Sequence, residues 1–245
     1  MKIVSYTALH YGSDYLYYAI KSVIDHVDEH WIIYSDVGSH GSRTAARCPD
    51  TREELMDIAV RAAGEKLGWI DGQWARETDQ RSMIHELAPD ADVILVVDSD
   101  EVYQDGLAKE AIDFALHTGV RTVRVPFIHL WRSFRRGFAH DPAYPIRVIN
   151  PKAPDGAVTM PTDKRVWHFG YCGREEIVAY KFRNVHGHKA EWRKDCDWLN
   201  DVFLANRQYD CHPIGSEFWT CEDIDLSNIP SVLLDHPYYN LEVVR

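Results

Sequence analysis

The stretch ILVVDSDEVY, residues 94–103, joins an apolar run directly to three carboxylates within four residues. The β-branched and aliphatic residues at 93–97 are typical of a strand buried on both faces of a sheet. Unpaired charge at the end of such a segment is costly. Asp98, Asp100 and Glu101 therefore either begin an exposed turn or meet a cation.

Strand and helix patterns alternate through the first half of the chain. The order is β-α-β-α-α-β-α-β, which predicts an α/β fold with a mostly parallel central sheet flanked by helices. Ligands of such sheets lie beyond the carboxyl ends of the strands, where Asp36 and Asp98 stand. Thr51 and Glu54 form a capping box that opens the second helix. The expected strands are 2–7, 30–34, 93–97 and 122–128, and the expected helices are 14–27, 51–67, 78–87 and 107–117.

The composition is that of an ordinary folded protein. The chain has 245 residues, of which 45% are hydrophobic and 27% charged, which suits one large domain. No apolar run approaches the roughly 18 residues of a membrane span, and the first residues have a strand pattern in place of a signal-peptide layout. The five cysteines include no C-x-x-C pair, which favours free thiols. We therefore expect no membrane insertion and a cytoplasmic location, the host cytoplasm if the protein is viral.

The charge is unevenly distributed along the chain. The net charge of -11 argues against general polyanion binding. Residues 121–193 nevertheless contain 14 Lys and Arg against 6 Asp and Glu. In one interpretation, the aromatic side chains of this segment stack on an acceptor molecule and its arginines neutralise the acceptor's phosphates. In the other, the arginines pair with acidic residues of the rest of the chain and the aromatic residues fill the core. It interleaves Arg132, Arg135, Arg136 and Arg147 with Trp131, Phe134, Phe138 and Tyr144.

The spacing of Asp98 and Asp100 is compatible with a metal site. Residues two apart in a strand face the same side, and at a turn they can still converge on one ion. Oxygen ligands of this kind suit Mg²⁺ or Mn²⁺, which keep open positions for substrate phosphates. The alternative is an exposed acidic turn without an ion.

The first 105 residues resemble the GT-A glycosyltransferases, especially family 2-like members. A D-x-D motif alone is weak, but here four elements follow one another in the family's order. The resemblance implies a single GT-A domain with a nucleotide-sugar-binding half at residues 1–120 and an acceptor-binding half at 121–245. The motifs are Ser22-Val23, Asp36-Val37-Gly38-Ser39, Arg81-Ser82 and Asp98-Ser99-Asp100-Glu101.

The resemblance also implies roles for individual residues on the donor side. Thr7 and Asp36 would line the pocket for the base or ribose of a nucleotide sugar. Arg81 would face the nucleotide or its diphosphate. Asp98 would touch the ribose or a metal-bound water, and Asp100 would ligate Mn²⁺ or Mg²⁺. The base preference stays open because many relatives have a second Asp where this chain has valine.

A second stretch, VWHFGYCGREEIVAYKFRN at residues 166–184, resembles a family pattern of His-Phe-Gly-Tyr followed by a helix with a central lysine, here Lys181. In GT-A enzymes a downstream histidine often completes the metal shell, and His168 is the candidate. The alternative is a core histidine bonded to a backbone carbonyl. The pair His186 and His188 and the single His236 compete for the same role.

A catalytic base should follow the D-x-D motif, because a positioned carboxylate can take the acceptor's proton. Asp163 and Glu191 are the two candidates, and a surface carboxylate is the alternative interpretation of each. Further acids in the same region are Glu175, Glu176, Asp195 and Asp197.

These patterns predict a metal-dependent glycosyltransferase that uses a nucleotide sugar, with a UDP-sugar favoured, and that inverts as most family 2 relatives do. The basic segment slightly favours a hydroxymethylated pyrimidine of bacteriophage DNA as the acceptor over a cell-surface glycan or other saccharide. A nucleotidyltransferase is a weaker alternative, because residues 8–12 contain one glycine where a glycine-rich phosphate loop is usual. A non-catalytic binding protein would not need Asp100 or a metal.

Overall fold

The computed structural model describes residues 1–38, 47–138, 144–186, 196–213 and 220–245. The strands are β1 (Ile3–Leu9), β2 (Glu29–Ser35), β3 (Leu67–Gly72), β4 (Val93–Val96), β5 (Glu101–Tyr103), β6 (Thr122–Arg124), β7 (Phe127–Trp131), β8 (Arg136–Phe138), β9 (Ile146–Ile149), β10 (Ala157–Thr159), β11 (Val166–Tyr171) and β12 (Glu222–Asp223). The α-helices are α1 (Leu16–Lys21), α2 (Arg52–Ala63), α3 (Glu77–Ser82), α4 (Ile84–Leu87), α5 (Leu107–Thr118) and α6 (Glu175–Tyr180). Short 3-10 helices span Ile24–His26, Gly64–Lys66, Leu226–Asn228 and Ser231–Leu233, and π-helices span Lys181–His186 and Trp198–Leu204.

A seven-stranded sheet with the order β10-β6-β9-β4-β1-β2-β3 forms the centre of the described structure. Neighbouring strands run parallel except at β9, which is antiparallel to both β4 and β6. The α/β class with a mostly parallel central sheet is therefore confirmed. Residues of β4 alternate between two hydrophobic clusters: Val93 and Leu95 pack beside α5, and Ile94 and Val96 pack beside α4. This two-sided burial explains the uninterrupted apolar run in the sequence.

A second sheet of five strands, β12-β8-β7-β11-β5, packs beyond the end of β4. The single strand expected at 122–128 is wrong: the chain splits into β6 in the first sheet and β7 in the second. Pro126 lies at the split, and it has no N–H to continue a ladder. Because β5 also lies in the second sheet, the chain crosses between the sheets at the acidic turn 98–100.

Strand β3 was not expected from the sequence, which predicted a helix continuing to residue 67. Helix α2 ends at Ala63, because Gly64 has a left-handed φ of 58°. The residues that follow form β3, a strand at the edge of the sheet. This strand contains Gly68, where a Cβ atom would lie 2.5 Å from the Trp31 ring. Glycine in a strand often marks such a close approach. The predicted cap of α2 is present, as Thr51 accepts a hydrogen bond from the Glu54 amide at 3.2 Å.

Many residues of the basic segment 121–193 are engaged in contacts within the protein. Arg132 is 2% exposed and donates to the carbonyl oxygens of Phe203, Leu204 and Val244. Trp131, Phe134 and Phe138 of the same segment are buried in the core. Seven of its basic residues form ion pairs in the described part of the chain: Arg121–Asp155, Arg132–Glu175, Arg147–Glu101, Lys152–Asp92, Lys164–Glu110, Arg174–Asp14 and Lys181–Asp100.

None of the helices in the described ranges is both long and apolar enough to cross a membrane.

Candidate active site

The acidic turn 98–100 is fixed against the loop that follows β1. Ser99 donates its hydroxyl hydrogen to the Tyr11 carbonyl at 2.9 Å. Gly12 lies against the same serine, with φ at 129° and room for no side chain, since an added Cβ would stand 2.3 Å from the Ser99 hydroxyl. The central residue of the D-x-D motif therefore locks the turn, and the two aspartates on either side of it project into different surroundings.

Two arginines neutralise the first acid of the turn. Oδ1 of Asp98 lies 2.7 Å from Nη1 of Arg81, and Oδ2 lies 3.1 Å from Nη2 of Arg147. Burial raises the pKa of Asp98, but the two guanidinium groups outweigh it and lower that pKa. Both oxygens of Asp98 are thus engaged by protein cations.

Glu101 is held by the same arginine and does not face water. Arg147 contacts both carboxylate oxygens of Glu101, with Nε at 2.6 Å from Oε2. The glutamate is 1% exposed. Burial raises the pKa of Glu101, and the guanidinium of Arg147 opposes that rise. Two of the three acids in the opening stretch therefore obtain their counter-ion from β9.

Asp100 points to the opposite side, toward the second sheet. The antiparallel register of β5 and β11 places His168 opposite Glu101, and the Phe169 amide donates to the Asp100 carbonyl at 2.7 Å. Oδ2 of Asp100 then lies 3.6 Å from Nε2 of His168 and 3.3 Å from Nζ of Lys181. Burial raises the pKa of Asp100, but the charge of Lys181 outweighs it and lowers that pKa to about 2.

His168 is oriented by a second imidazole. The parallel register of β7 and β11 sets His129 beside His168, and their Nδ1 atoms share a hydrogen bond of 2.7 Å. The partner is thus a side chain and not the backbone carbonyl considered from the sequence. Burial lowers the pKa of His168 to about 3, so the ring is neutral near pH 7. With the shared proton on Nδ1 of His168, its Nε2 offers a lone pair toward Asp100.

The motif around His168 contains a glycine, Gly170, at a position where the neighbouring side chains leave no room for a Cβ atom. A Cβ atom there would lie 2.7 Å from Nε2 of His168 and 3.2 Å from Nζ of Lys181. Any side chain would therefore press on both groups that face Asp100. Lys181 itself stands where α6 changes into the π-helix Lys181–His186. Such irregular helical turns are frequent at functional sites.

The donors beside Asp100 fit a divalent cation. The carboxylate of Asp100 and the neutral ring of His168 are separated by 3.6 Å, which two ligand atoms can span around one ion with bonds of about 2.1 Å. Asp98 and Glu101 also lie nearby, but Arg147 binds both of them. Of the three ligands suggested by the sequence, the structure brings Asp100 and His168 together and engages Asp98 with arginines. Mg²⁺ and Mn²⁺ accept so few protein ligands when substrate phosphates supply the others.

A cavity of about 170 Å³ opens between these groups and the loop after β1. Arg81 lines it, and its predicted contact with a nucleotide stays a prediction. Thr7 does not line it: that side chain is fully buried, and its hydroxyl donates to the Val97 carbonyl at 2.5 Å. The polar lining residues in the described ranges are His10, Tyr11, Glu77, Gln80, Arg81, Asp98, Ser99, Asp100, His168 and Lys181.

Asp36 lies at the end of β2 but beside a different depression. Its exposed carboxylate accepts a hydrogen bond from Gln73 at 3.1 Å, and it shares a shallow pocket with Tyr34, Arg52 and Asp71. Within the described ranges, Asp36 is therefore not part of the cavity lining.

The candidate bases do not line the cavity in the described part of the chain. Asp163 is exposed and precedes β11. Glu175 pairs with Arg132, and Glu176 pairs with Arg174. Asp197 caps the π-helix Trp198–Leu204. Glu191 and Asp195 lie outside the described residues.

Of the competing histidines, the structure describes the side chain of His236 alone, and that ring does not line the cavity. His236 bonds through Nε2 to the Asp14 carbonyl at 2.9 Å and stacks on Tyr15, so it supports the packing of the carboxyl-terminal segment. The side chain of His186, and all of His188, are outside the described residues.

Several cavity residues escaped prediction from the sequence. His10 donates from Nδ1 to the Ser35 carbonyl at 2.8 Å and accepts from the Tyr180 hydroxyl at 3.0 Å, which ties β1, β2 and α6 together. Glu77 holds Arg81 at 2.6 Å. His10 follows directly after β1, and that position at the carboxyl end of a central strand was the available signal.

No family model and no curated protein matches this chain. Among solved structures it is similar to S. aureus TarS 1–349, with TM-score 0.40 and 13% identity over 53% of this chain and 36% of that chain. It is also similar to TarS 1–349 in complex with UDP, with TM-score 0.37, 14% identity and the same two coverages. The chain thus spans about a third of the TarS chains that it matches.

Two further solved structures are matched over most of their own length. HddC from Yersinia pseudotuberculosis has TM-score 0.43 and 10% identity over 69% of this chain and 94% of that chain. The 4-diphosphocytidyl-2C-methyl-D-erythritol synthase from Anaerococcus prevotii has TM-score 0.40 and 13% identity over 74% and 99%. At such low similarity, function has to be inferred from the site's own geometry.

The buried pair of Arg147 and Glu101 yields a prediction about stability. Arg147→Met should lower the free energy of unfolding by about 3–5 kcal/mol, because it leaves a buried carboxylate without its partner. The double variant Glu101→Leu with Arg147→Met should regain much of that loss. Denaturant unfolding of the single variants Arg147→Met and Glu101→Leu and of the double variant measures this. Arg52→Met is the control, since its exposed pair with Asp71 is screened by water and should matter far less. A double variant as unstable as the sum of the two single variants would contradict the pairing.

Proposed function

We propose that this chain is a glycosyltransferase that moves a sugar from a nucleotide sugar, first of all a UDP-sugar, to an acceptor hydroxyl. The observation that carries the proposal is the arrangement of Asp100, His168, Lys181 and Arg81 around one cavity at the carboxyl ends of the central strands. Sugar transfer releases a nucleoside diphosphate, and its growing negative charge requires cations in place. The cavity has two cationic side chains, Arg81 and Lys181, and two potential ligands for a metal cation, Asp100 and His168.

The proposed chemistry follows from these positions. A bound Mn²⁺ or Mg²⁺ would supply Lewis-acid neutralisation of the leaving diphosphate, held by Asp100 and His168. Arg81 binds the phosphates or ribose from the α3 side, with Glu77 fixing its direction. As a base takes the proton of the acceptor hydroxyl, the new C–O bond forms and the bond to the diphosphate oxygen breaks, through an oxocarbenium-like transition state. Attack from the opposite face of the sugar inverts the anomeric centre.

A nucleotidyltransferase receives no support from the loop after β1. That loop has its single glycine fitted against Ser99, and the amides of Gly12 and Ser13 already donate to the Asp50 carboxylate, so they are not free to bind phosphates. Incubation with a nucleoside triphosphate and a sugar phosphate should therefore release no pyrophosphate.

The first test is donor binding and turnover. A nucleoside diphosphate or UDP-sugar should raise the thermal midpoint with Mn²⁺ present, by about 2.7 kcal/mol of added stability at a hundredfold excess over Kd. Asp100→Asn should keep the fold but abolish sugar release from the donor, whereas the exposed control Asp155→Asn should behave as wild type. Differential scanning fluorimetry and donor hydrolysis measure both. If no nucleoside diphosphate shifts the midpoint under any metal condition, the proposal is wrong.

The acceptor we propose is a saccharide hydroxyl. The sequence favoured hydroxymethylated DNA because of the basic segment, but Arg132 and Arg147 of that segment bind groups inside the protein. The net charge of -11 also disfavours a polyanionic acceptor. Labelled donor should therefore mark oligosaccharides and leave hydroxymethylated phage DNA unlabelled. Label on the DNA alone would restore the DNA acceptor.

Glu191 is the catalytic base we propose, since Asp163 is exposed before β11 and apart from the cavity lining. Glu191→Gln should lower kcat by about 10²–10⁴-fold while donor binding is kept, because a general base acts on the acceptor's proton. Asp163→Asn is the matched control and should retain near wild-type turnover. The reverse pattern, with loss in Asp163→Asn alone, would exchange the two assignments.

A further inference from the structure

We propose that Lys181 is an exchangeable counter-ion: its ammonium holds Asp100 when no divalent ion is bound, and it turns to the donor's diphosphate when an ion takes its place. This inference rests on the proposed function and adds to it a residue and an order of events. It concerns how the site remains stable without ligand and how it is reorganised on binding.

The first step is that two cations need the same oxygen. Nζ of Lys181 lies 3.3 Å from Oδ2 of Asp100, and the Nε2 atom of His168 lies 3.6 Å from that same oxygen. An ion shared by Asp100 and His168 would therefore bind at the oxygen that the ammonium contacts. Like charges at such separation disfavour each other strongly in a buried site. Lys181 must move when the ion binds.

The second step is that Lys181 is the cation best able to move. Arg81 contacts Glu77 and Asp98, and Arg147 contacts Glu101 and Asp98, so each guanidinium is held by two carboxylates. In the described residues Lys181 pairs with Asp100 alone. Its charge is one ammonium on a flexible stem of four carbons, whereas each arginine is a planar fork held at several points.

The third step is that the released ammonium stays within reach of a diphosphate. Lys181 lines the same cavity as Arg81. Gly170 has no side chain to press on Nζ, since a Cβ atom there would lie 3.2 Å from it. The face of the Tyr171 ring, with its centroid 5.8 Å from Nζ, also favours a cation at this position. Lys181 therefore already borders the space in which a diphosphate would bind.

These steps predict effects of opposite sign from one substitution. Lys181→Met removes the charge and keeps a side chain of similar length. Without nucleotide, Mn²⁺ should bind this variant more tightly than wild type, by about threefold to tenfold, because no ammonium competes for Asp100. With Mn²⁺ saturating, UDP should bind more weakly, by about tenfold or more, because a charged hydrogen bond to the diphosphate is lost.

The experiment measures binding and not turnover. Electron paramagnetic resonance of free Mn²⁺ gives the metal affinity without nucleotide, and isothermal titration calorimetry gives the UDP affinity with Mn²⁺ present. Lys181→Arg keeps the charge and should retain the competition with Mn²⁺. Lys164→Met is the matched control, since that lysine pairs with Glu110 away from the cavity and should change neither affinity. If Lys181→Met does not fold, Lys181→Gln serves the same comparison.

Each outcome decides one part of the inference. Equal or weaker Mn²⁺ binding by the uncharged variant would overturn the exchange at Asp100. Unchanged UDP binding would overturn the contact with diphosphate. If wild type binds no nucleoside diphosphate at all, with or without Mn²⁺, the proposed function fails. If wild type binds UDP and Lys181→Met changes neither affinity, only the inference about Lys181 fails.

Discussion

The site depends on Arg147, which binds two carboxylates on either side of the acidic turn. It enters from β9, the antiparallel strand inserted between β4 and β6. By contacting both Asp98 and Glu101 it fixes the point where the chain leaves the first sheet and enters the second. Burying these ions costs several kcal/mol each, and the two-point geometry offsets that cost. Asp100, left between them without an arginine, is thereby turned toward His168 and Lys181.

The three cations around the turn therefore have different functions. Arg147 is structural, because it is buried and holds the crossing between sheets. Arg81 is partly structural, since Glu77 and Asp98 fix it, yet it still lines the cavity. Lys181 is held at one point and can be released. The carboxylate that this lysine binds is also the one placed beside a neutral histidine, so the most labile ion pair is at the position where a metal and a diphosphate would meet.

The sequence predicted the features that depend on local residue patterns, but it did not predict the ion pairs between residues that are far apart in the chain. The alternation of strands and helices and the position of the acidic turn follow from periodicity. The counter-ions do not, because Arg147 is 49 residues from Asp98 and Lys181 is 81 residues from Asp100. The same limit explains the basic segment: its local charge suggested a polyanionic acceptor, but acids from distant elements neutralise much of it. Strand β3 was missed because glycine is depleted in strands, and its two glycines, which make room for tryptophan rings, interrupt the strand pattern.

The charges of the site indicate how ion and donor influence each other. Among the side chains that line the cavity, Glu77, Asp98 and Asp100 stand against Arg81 and Lys181, so these five carry one net negative charge while His168 is neutral. A divalent cation alone would change that balance by two units, and so would the diphosphate of a nucleotide sugar alone, with the opposite sign. Bound together they leave it unchanged. Because excess charge is costly in a buried site, each of the two should strengthen the binding of the other, and the release of Lys181 from Asp100 is the movement that lets both enter.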